Sequence, residues 1–549
     1  MELQVERAVP SGVITMVGAF CAAMGLQGIL DAMVPFDGEQ CKLTPGQRLM
    51  ALLLCVFGGR QALYQVENFY VGHQLELLFG SGVEASDFND DALGRALDKL
   101  AAADPRRVFS TLAFHALSVQ GMPWQAVHAD TTSVSLYGEY EGFEGKEFLR
   151  LVPGYSKDGH PELKQLMIGL ATTRDGVPLY AEVLDGNTSD KAWNLNLVRE
   201  LGRHLPAGRL RQMLYVADSA LVTKANLEAV AEQGYHFVSR LPATFGEADR
   251  VRAEAFAQDN WTDAGTLSAA KGAARYKLWQ TRRRIGGRDY RLIVVHSTSL
   301  DRRKQQQLDK AIAEQRTALE RSAQDELGRR YNCRQDAQVT FEHWPQPKYW
   351  QLGHRIEEVE EKRYAHPGRP RKDAQPTVAR YWRLVVNVDG PRQDAVSAER
   401  ARLSAFVLIS NDRSRTAQDL FRQYKEQVSV EQGFRFIKEP RHIAPVFLHR
   451  PDRIEAFAYV QALALLIYTL IQKKIRDALA TAPRPLLVSW RGELRTPTAN
   501  VVLAVMESIQ TVTLRLGTRR FRSYTALSAE QRYILELLGL DPAILSAPT

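Results

Sequence analysis

Two aspartates stand where apolar strands would bury them. Asp130 lies inside "AVHADTTSVSL", and Asp218 closes the run "QMLYVAD". An ionised carboxylate withdrawn from water costs several kcal/mol unless it is paired or bound to a cation, so two of them on neighbouring strands call for a shared positive charge. A third acid is offered by "YKEQVSVEQGFRFIK", in which Tyr424, Gln427, Glu431 and Lys438 recur at helical spacing and share one stripe. Glu426 is rotated away from that stripe, while Phe434, Phe436 and Ile437 tie the segment to a core. Three carboxylates from two strands and a helix suit two divalent cations roughly 3.5–4 Å apart, an arrangement that cleaves and transfers phosphodiesters. Hard oxygen donors select Mg²⁺ or Mn²⁺.

Each residue also has a plainer reading. Asp218 stands where an N-cap belongs before "SALVTKANLEAV". Asp130 fits a solvent-facing position on an edge strand, and the polar stripe fits a solvated helix face. His128, two residues before Asp130 and so on the same strand face, fits a hydrogen-bonded core histidine as well as a neighbour of the site.

The elements that must position these residues follow from local pattern. "LTPGQRLMALLLCVFGG" offers Thr44 as N-cap, Pro45 at the first helical position, Gln47 three residues after the cap, and Gly58-Gly59 as the stop. Together with helical stretches over 90–103 and 106–119, this makes 1–120 a helical N-terminal domain. From Trp124 the texture changes to short β-branched runs bounded by turn signals, among them Asp175-Gly176, and a βαβ alternation follows through "QMLYVAD" and "YHFVSRL". That is the first part of a mixed-sheet α/β core, 121–244. Residues 245–400 interrupt it as a β-rich insertion around a long polar helix, 301–328. The strand "SAFVLISN" and a helix over 416–438 resume the core across 401–480, and 481–549 form a helical C-terminal region.

The composition is that of an ordinary globular protein, 45% hydrophobic and 24% charged. A net charge of +8 and a pI near 9.2 favour an anionic partner. Cys21, Cys41, Cys55 and Cys333 form no CxxC pair and no zinc spacing, which fits a reducing, intracellular setting. The apolar stretches 13–30 and 456–471 read as core helices, the second because its sixteen residues fall short of the roughly 20 that a bilayer needs.

The spacing from Tyr424 to Gln427, Glu431 and Lys438 resembles the Y-(2)-R-(3)-E-(6)-K signature of the IS4-type DDE transposases, and Asp130 and Asp218 match that family's two aspartates. "GYSKDGHPELKQLMIGL", "VADSALVTKANL", "FRFIKEP" and "PVFLHRPDRIEAFAYVQALALLIYTLI" look like its IS1634 branch, in the same order, so the resemblance spans most of residues 10–545. It implies a ribonuclease H-like core with Asp130, Asp218 and Glu431 as catalytic Mg²⁺ or Mn²⁺ ligands. It further implies Tyr424, Gln427, Arg435 and Lys438 in contact with DNA at the element's ends. Gln427 departs from the pattern by replacing an arginine, which removes a charge-assisted fork to phosphate. The partners implied are double-stranded DNA, as terminal inverted repeats and as target, and a second copy of the chain. A cytoplasmic, nucleoid-associated location in bacteria is implied as well. A nuclease that hydrolyses without strand transfer and a transposase-derived DNA binder that no longer cuts are the other readings.

Residues 271–304 hold eleven Lys or Arg against two Asp, with Arg282, Arg283 and Arg284 consecutive and Tyr276, Trp279 and Tyr290 interleaved. Such a stretch fits a phosphate-binding surface with steep salt dependence, or equally a solvated hairpin. "HPGRPRKD", residues 366–373, carries Arg369 and Arg371 in a form that enters an AT-rich minor groove or serves as a basic linker. The N-terminal helices are the better place for recognition of DNA ends, since a helix fits the major groove. Trp261, Trp279, Trp344 and Trp350 suit a β-rich core better than a base-stacking role.

Overall fold

The computed structural model describes the chain apart from residues 1–2, 40, 60–61, 123, 141–148, 157–158, 205–210, 268–271, 300–301, 364–374, 427–432, 438–447, 517 and 546–549. The chain divides into two compact units. Met1–Arg240 with Ser410–Thr549 form the first, and Leu241–Ile409 the second.

The first unit opens on a strand, β1 (Leu3–Pro10), which corrects the reading of 1–120 as wholly helical. β1 pairs antiparallel with Gln510–Leu516 near the other end of the chain, a partner that no local pattern announces. Helices follow at Gly12–Ala23, Leu26–Met33, Pro45–Phe57, Asp90–Ala102 and Pro105–Val119. The capping box is formed as expected, with Thr44 accepting the Gln47 N–H, the Gln47 side chain returning to the Thr44 N–H, and Gly58 at the C-cap.

The sheet of this unit contains β2 (Ala126–Leu136), β3 (Lys164–Thr173), β4 (Pro178–Asp185), β5 (Leu214–Ala217) and β6 (His236–Arg240), in the order β4-β3-β2-β5-β6. β4, β3 and β2 run antiparallel as a meander. Its β3–β4 hairpin turns at Asp175-Gly176, where Gly176 takes a positive φ. β2, β5 and β6 are parallel, joined by crossovers that contain the helices Asp190–His204 and Lys224–Gln233. β2 is therefore an interior strand, which removes the edge-strand reading of Asp130. The four residues of β5 are all buried, as a short parallel strand covered on both faces must be. This is a mixed α/β sheet of the expected class, consistent with a ribonuclease H-like core.

Glycine fixes how one helix meets the sheet. A Cβ at Gly169 of β3 would lie 2.2 Å from the indole of Trp193, which is fully buried. The close approach of Trp193 to bare backbone seats Asp190–His204 against β3 and β2, and any larger residue at 169 would push that helix off.

The apolar run expected over 456–471 belongs to a much longer helix, Pro451–Thr481, of 31 residues. By length and composition it could cross a membrane, but 89% of its apolar window is buried inside the protein, the setting of a core helix. Arg453 anchors its start, with Nε and Nη2 donating to the two oxygens of Asp98 at 2.7 Å each. Such a bidentate, half-buried pair is the strong form of an ion pair. The region after 481 is mixed rather than helical. Short strands at Leu486–Val488, Gly492–Leu494, Gln510–Leu516 and Arg519–Tyr524 alternate with the helices Ala499–Met506 and Ala529–Leu538. Gln510–Leu516 pairs with β1 on one side and with Arg519–Tyr524 on the other, and its Thr511, Val512 and Thr513 are the β-branched residues that suit a strand.

The second unit holds β7 (Thr262–Thr266), β8 (Arg275–Ile285), β9 (Arg288–Ser297), β10 (Trp350–Arg363), β11 (Thr377–Pro391) and β12 (Ala405–Ser410). β12, β9, β8 and β7 are neighbours in that order, and β10 with β11 makes a separate antiparallel ribbon. The long polar helix runs from Arg302 to Leu327, and its Leu308 packs on Tyr349 and Trp350. Trp279 and Trp350 are core residues, their indole N–H groups donating to Gln258 and to the Ile312 carbonyl.

Candidate active site

Three parallel strands carry a matching stretch of sequence. β2 reads Val-His-Ala and then Asp130, β5 reads Tyr-Val-Ala and then Asp218, and β6 reads Phe-Val-Ser and then Arg240. Ala129 pairs with Ala217 and Ala217 with Ser239, so Asp130, Asp218 and Arg240 each stand one step beyond a matched row: Asp130 within β2, Asp218 just past the carboxyl end of β5 and Arg240 at the carboxyl end of β6. In open α/β sheets the carboxyl edge of the parallel strands is where ligands bind. Both acids are half-buried. The wholly buried Tyr215 registers them: its hydroxyl is pushed far above the ordinary phenol range by burial, then by Asp218, Tyr235 and Asp130.

Asp218 fulfils its plainer role as well, though on a different element from the one expected. Its Oδ1 accepts the Ala220 N–H at 3.0 Å and caps the short 3₁₀ turn Ser219–Leu221, whereas the helix Lys224–Gln233 is capped by Thr223. A cap uses one acceptor position of a carboxylate that has about four, so capping and cation binding are compatible. The Asp218 carbonyl is fixed in turn by the Ser239 hydroxyl at 2.6 Å. Asp130 accepts the Thr131 N–H through Oδ1 at 2.7 Å, and the Thr131 hydroxyl on the opposite face donates to Asp190 at the start of Asp190–His204. Backbone hydrogen bonds thus orient both acids before any ligand arrives.

A helix delivers the next group. Ala417–Lys425 is capped by a Thr416–Asp419 capping box and carries Tyr424 in its last turn. Burial raises the Tyr424 phenol, Arg240 lowers it and Asp218 raises it, so Tyr424 lies within reach of both charges. Lys425 is pushed down by burial and by Arg240. Glu426, off the predicted stripe, is raised by burial and pairs with Arg174 of the β3–β4 turn at 2.7 Å. The structure therefore brings Tyr424 to Asp218 and Arg240, with Asp130 on the adjacent strand. Arg240 is the residue that sequence reasoning missed; the matching strand segments "HAD", "VAD" and "VSR" were the signal that could have found it.

His128 is buried as expected but is not the hydrogen-bonded core histidine proposed for it. Neither ring nitrogen has a partner among the described residues. Burial, then Arg174, pushes the imidazole down to about 4, so it is neutral at pH 7. Gln427, Glu431 and Lys438 lie outside the described residues, as do Arg369 and Arg371. Among the described residues no group of three or more His, Cys, Asp or Glu is placed to hold a metal ion. The two aspartates supply only hard oxygen donors, the chemistry that suits Mg²⁺ or Mn²⁺.

The basic stretch sorts itself by strand face. On β8, Arg282 and Arg284 are exposed, while Arg283 between them turns to the other side and is neutralised by Glu247 at 2.9 Å and by Glu254. Alternation on a pleated strand makes this division unavoidable. Arg435 is exposed on the wall of a cavity of about 330 Å³.

No curated protein matches the chain. Residues 11–114 match a domain family of unknown function, DUF4277. Residues 129–467, which include both aspartates, match the family described as "Transposase DDE domain". The mixed sheet, the two in-register acids and that match, which covers more than half of the sequence, lead to one conclusion: the chain belongs to the family of transposase DDE domains.

Proposed function

We propose that the protein is a cut-and-paste DNA transposase of the IS4 type, IS1634 branch, in which Asp130, Asp218 and Glu431 are the catalytic carboxylates. The observation that carries this reading is the placement of Asp130 and Asp218 on adjacent parallel strands, each one residue beyond the matched pair Ala129 and Ala217. Glu431 follows Tyr424 by seven residues, and Tyr424, in the last turn of its helix, feels the charge of Asp218, so the intervening chain is short enough to bring the third acid to the same site.

The three carboxylates would hold two divalent cations, Mg²⁺ or Mn²⁺, which lower the cost of forming the attacking oxygen anion and of releasing the leaving one. The protein's share is to fix the oxygens of Asp130 and Asp218 through the Thr131 and Ala220 N–H groups. It also places Tyr424, Gln427 and Lys438 along the DNA near the scissile phosphate. Water attacks phosphorus at the element's end, the P–O3′ bond breaks and a 3′-hydroxyl is released. That hydroxyl then attacks a target phosphodiester, forming one P–O bond as another breaks, so no external energy source is needed. Two copies of the chain acting on two ends, with Arg282 and Arg284 on the flanking duplex, complete the proposed assembly.

A labelled duplex carrying the element's inverted repeats, incubated with target plasmid and Mg²⁺, decides the reading. Joined products are the expected outcome. Nicked products alone would make the protein a nuclease, and a mobility shift without cutting would make it a DNA binder.

A further inference from the structure

Beyond the strand ends, the first unit contains a cavity of about 330 Å³ whose wall includes Arg435, Phe436, Tyr468, Gln472, Arg476 and Asn500. Three elements build it: the helical residues 433–437, the long helix Pro451–Thr481 and the start of Ala499–Met506. Its polar groups are already arranged. Arg476 is half-buried and held in place by donating from Nε to the Pro497 carbonyl at 2.8 Å. Gln472 accepts the Ala499 N–H through Oε1 at 3.1 Å, which leaves the donor end of its amide to act elsewhere. The ring of Tyr468 packs on Phe436 with centroids 4.6 Å apart and stiffens the wall.

The charge balance of this cavity points one way. Arg476 makes no ion pair among the described residues, and burial lowers its basicity against the weaker opposing pull of Tyr468 and Asp175. The acid on the wall, Asp175, is ion-paired with Lys473 at 3.6 Å. A partly desolvated guanidinium with no ion pair of its own among the described residues, sharing its wall with an acid already engaged by Lys473, gains from an incoming anion, and a second guanidinium, Arg435, stands exposed on the same wall. Phosphate is the anion whose geometry the planar fork of arginine matches, and the volume admits a phosphodiester with its flanking sugars.

We propose that this cavity is a second DNA contact, in which Arg476 and Arg435 clamp one backbone phosphate of the bound duplex at a point separate from the carboxylate edge. The proposal rests on DNA being the substrate, the reading given above. Its consequence is that the protein grips the duplex through the start of the chain's C-terminal region as well as through its catalytic sheet.

Binding of a fluorescent 30-base-pair duplex to the full chain, measured by anisotropy without divalent metal over a salt series, tests it. Arg476→Gln and Arg435→Gln should each weaken binding about tenfold and make the salt slope shallower, the two together by about 0.9, the value for one lost phosphate contact. Arg491→Gln, an exposed arginine elsewhere in the same unit, should change neither. Because Arg476 also holds Pro497, two further comparisons separate loss of charge from loss of fold: Arg476→Lys should keep the wild-type slope, and Arg435→Gln, at an exposed position, should lose it. Unchanged affinity and slope in both Gln variants would overturn the clamp while leaving the transposase reading intact if the wild type still joins DNA. A wild type that binds with this arginine dependence and never cuts would uphold the clamp and overturn that reading.

Discussion

Asp218→Asn and Asp130→Asn should each abolish Mg²⁺-dependent cutting of element-end DNA, with a loss on the order of 10³-fold or more, while the protein stays folded. The size follows from removing an anionic ligand whose cation stabilises transition-state charge by several kcal/mol, each 1.36 kcal/mol being a factor of ten. The fold survives because asparagine keeps the Oδ1 acceptor: at 218 it still caps the Ala220 N–H, and at 130 it still receives the Thr131 N–H. Single-turnover cleavage with circular dichroism alongside separates the two effects. Cutting that persists in Asp218→Asn would remove that residue from the catalytic set. Alanine at 218 is the less informative variant, because losing the cap adds a stability cost of about 1 kcal/mol.

The second large effect is electrostatic. Replacing Arg282 and Arg284 together with alanine should weaken nonspecific duplex binding on the order of tenfold or more near physiological salt and make the log–log salt slope shallower by about 1.8, two phosphate contacts at about 0.9 each. Arg283→Ala should leave the slope alone and lower thermal stability instead, because that guanidinium is already engaged by Glu247 and Glu254. A titration series at several salt concentrations reads both quantities. Equal slopes for the double variant and the wild type would show the exposed face of β8 to be solvated rather than bound to DNA.

Much of this arrangement was legible in the sequence because it is local. The capping box at Thr44, the Asp175-Gly176 turn and the buried strand before Asp218 are each written within a few residues, and the structure holds all three. What escaped was set at a distance. β1 becomes a strand only because Gln510–Leu516 lies beside it. Asp130 looks like an edge residue until β5 is laid parallel to β2. Arg240 gains meaning only from the register that lines it up with Asp218, and Arg283 was indistinguishable from its neighbours until the pleat turned it toward Glu247. Asp218 was a harder case, since a cap and a metal ligand use the same residue type at the same strand end, and the structure shows the cap directly.

The central claim is that the oxygens of Asp130 and Asp218 converge with those of Glu431 on shared divalent cations. The most direct test is a crystal structure of the chain bound to end DNA in Mn²⁺, with the metal located by anomalous scattering. Manganese is expected between Asp130 and Asp218, with carboxylate oxygens of both and of Glu431 at roughly 2.0–2.2 Å, the distance ordinary for such small divalent ions. Manganese bound elsewhere, or a Glu431 carboxylate remote from the two aspartates with DNA in place, would contradict it.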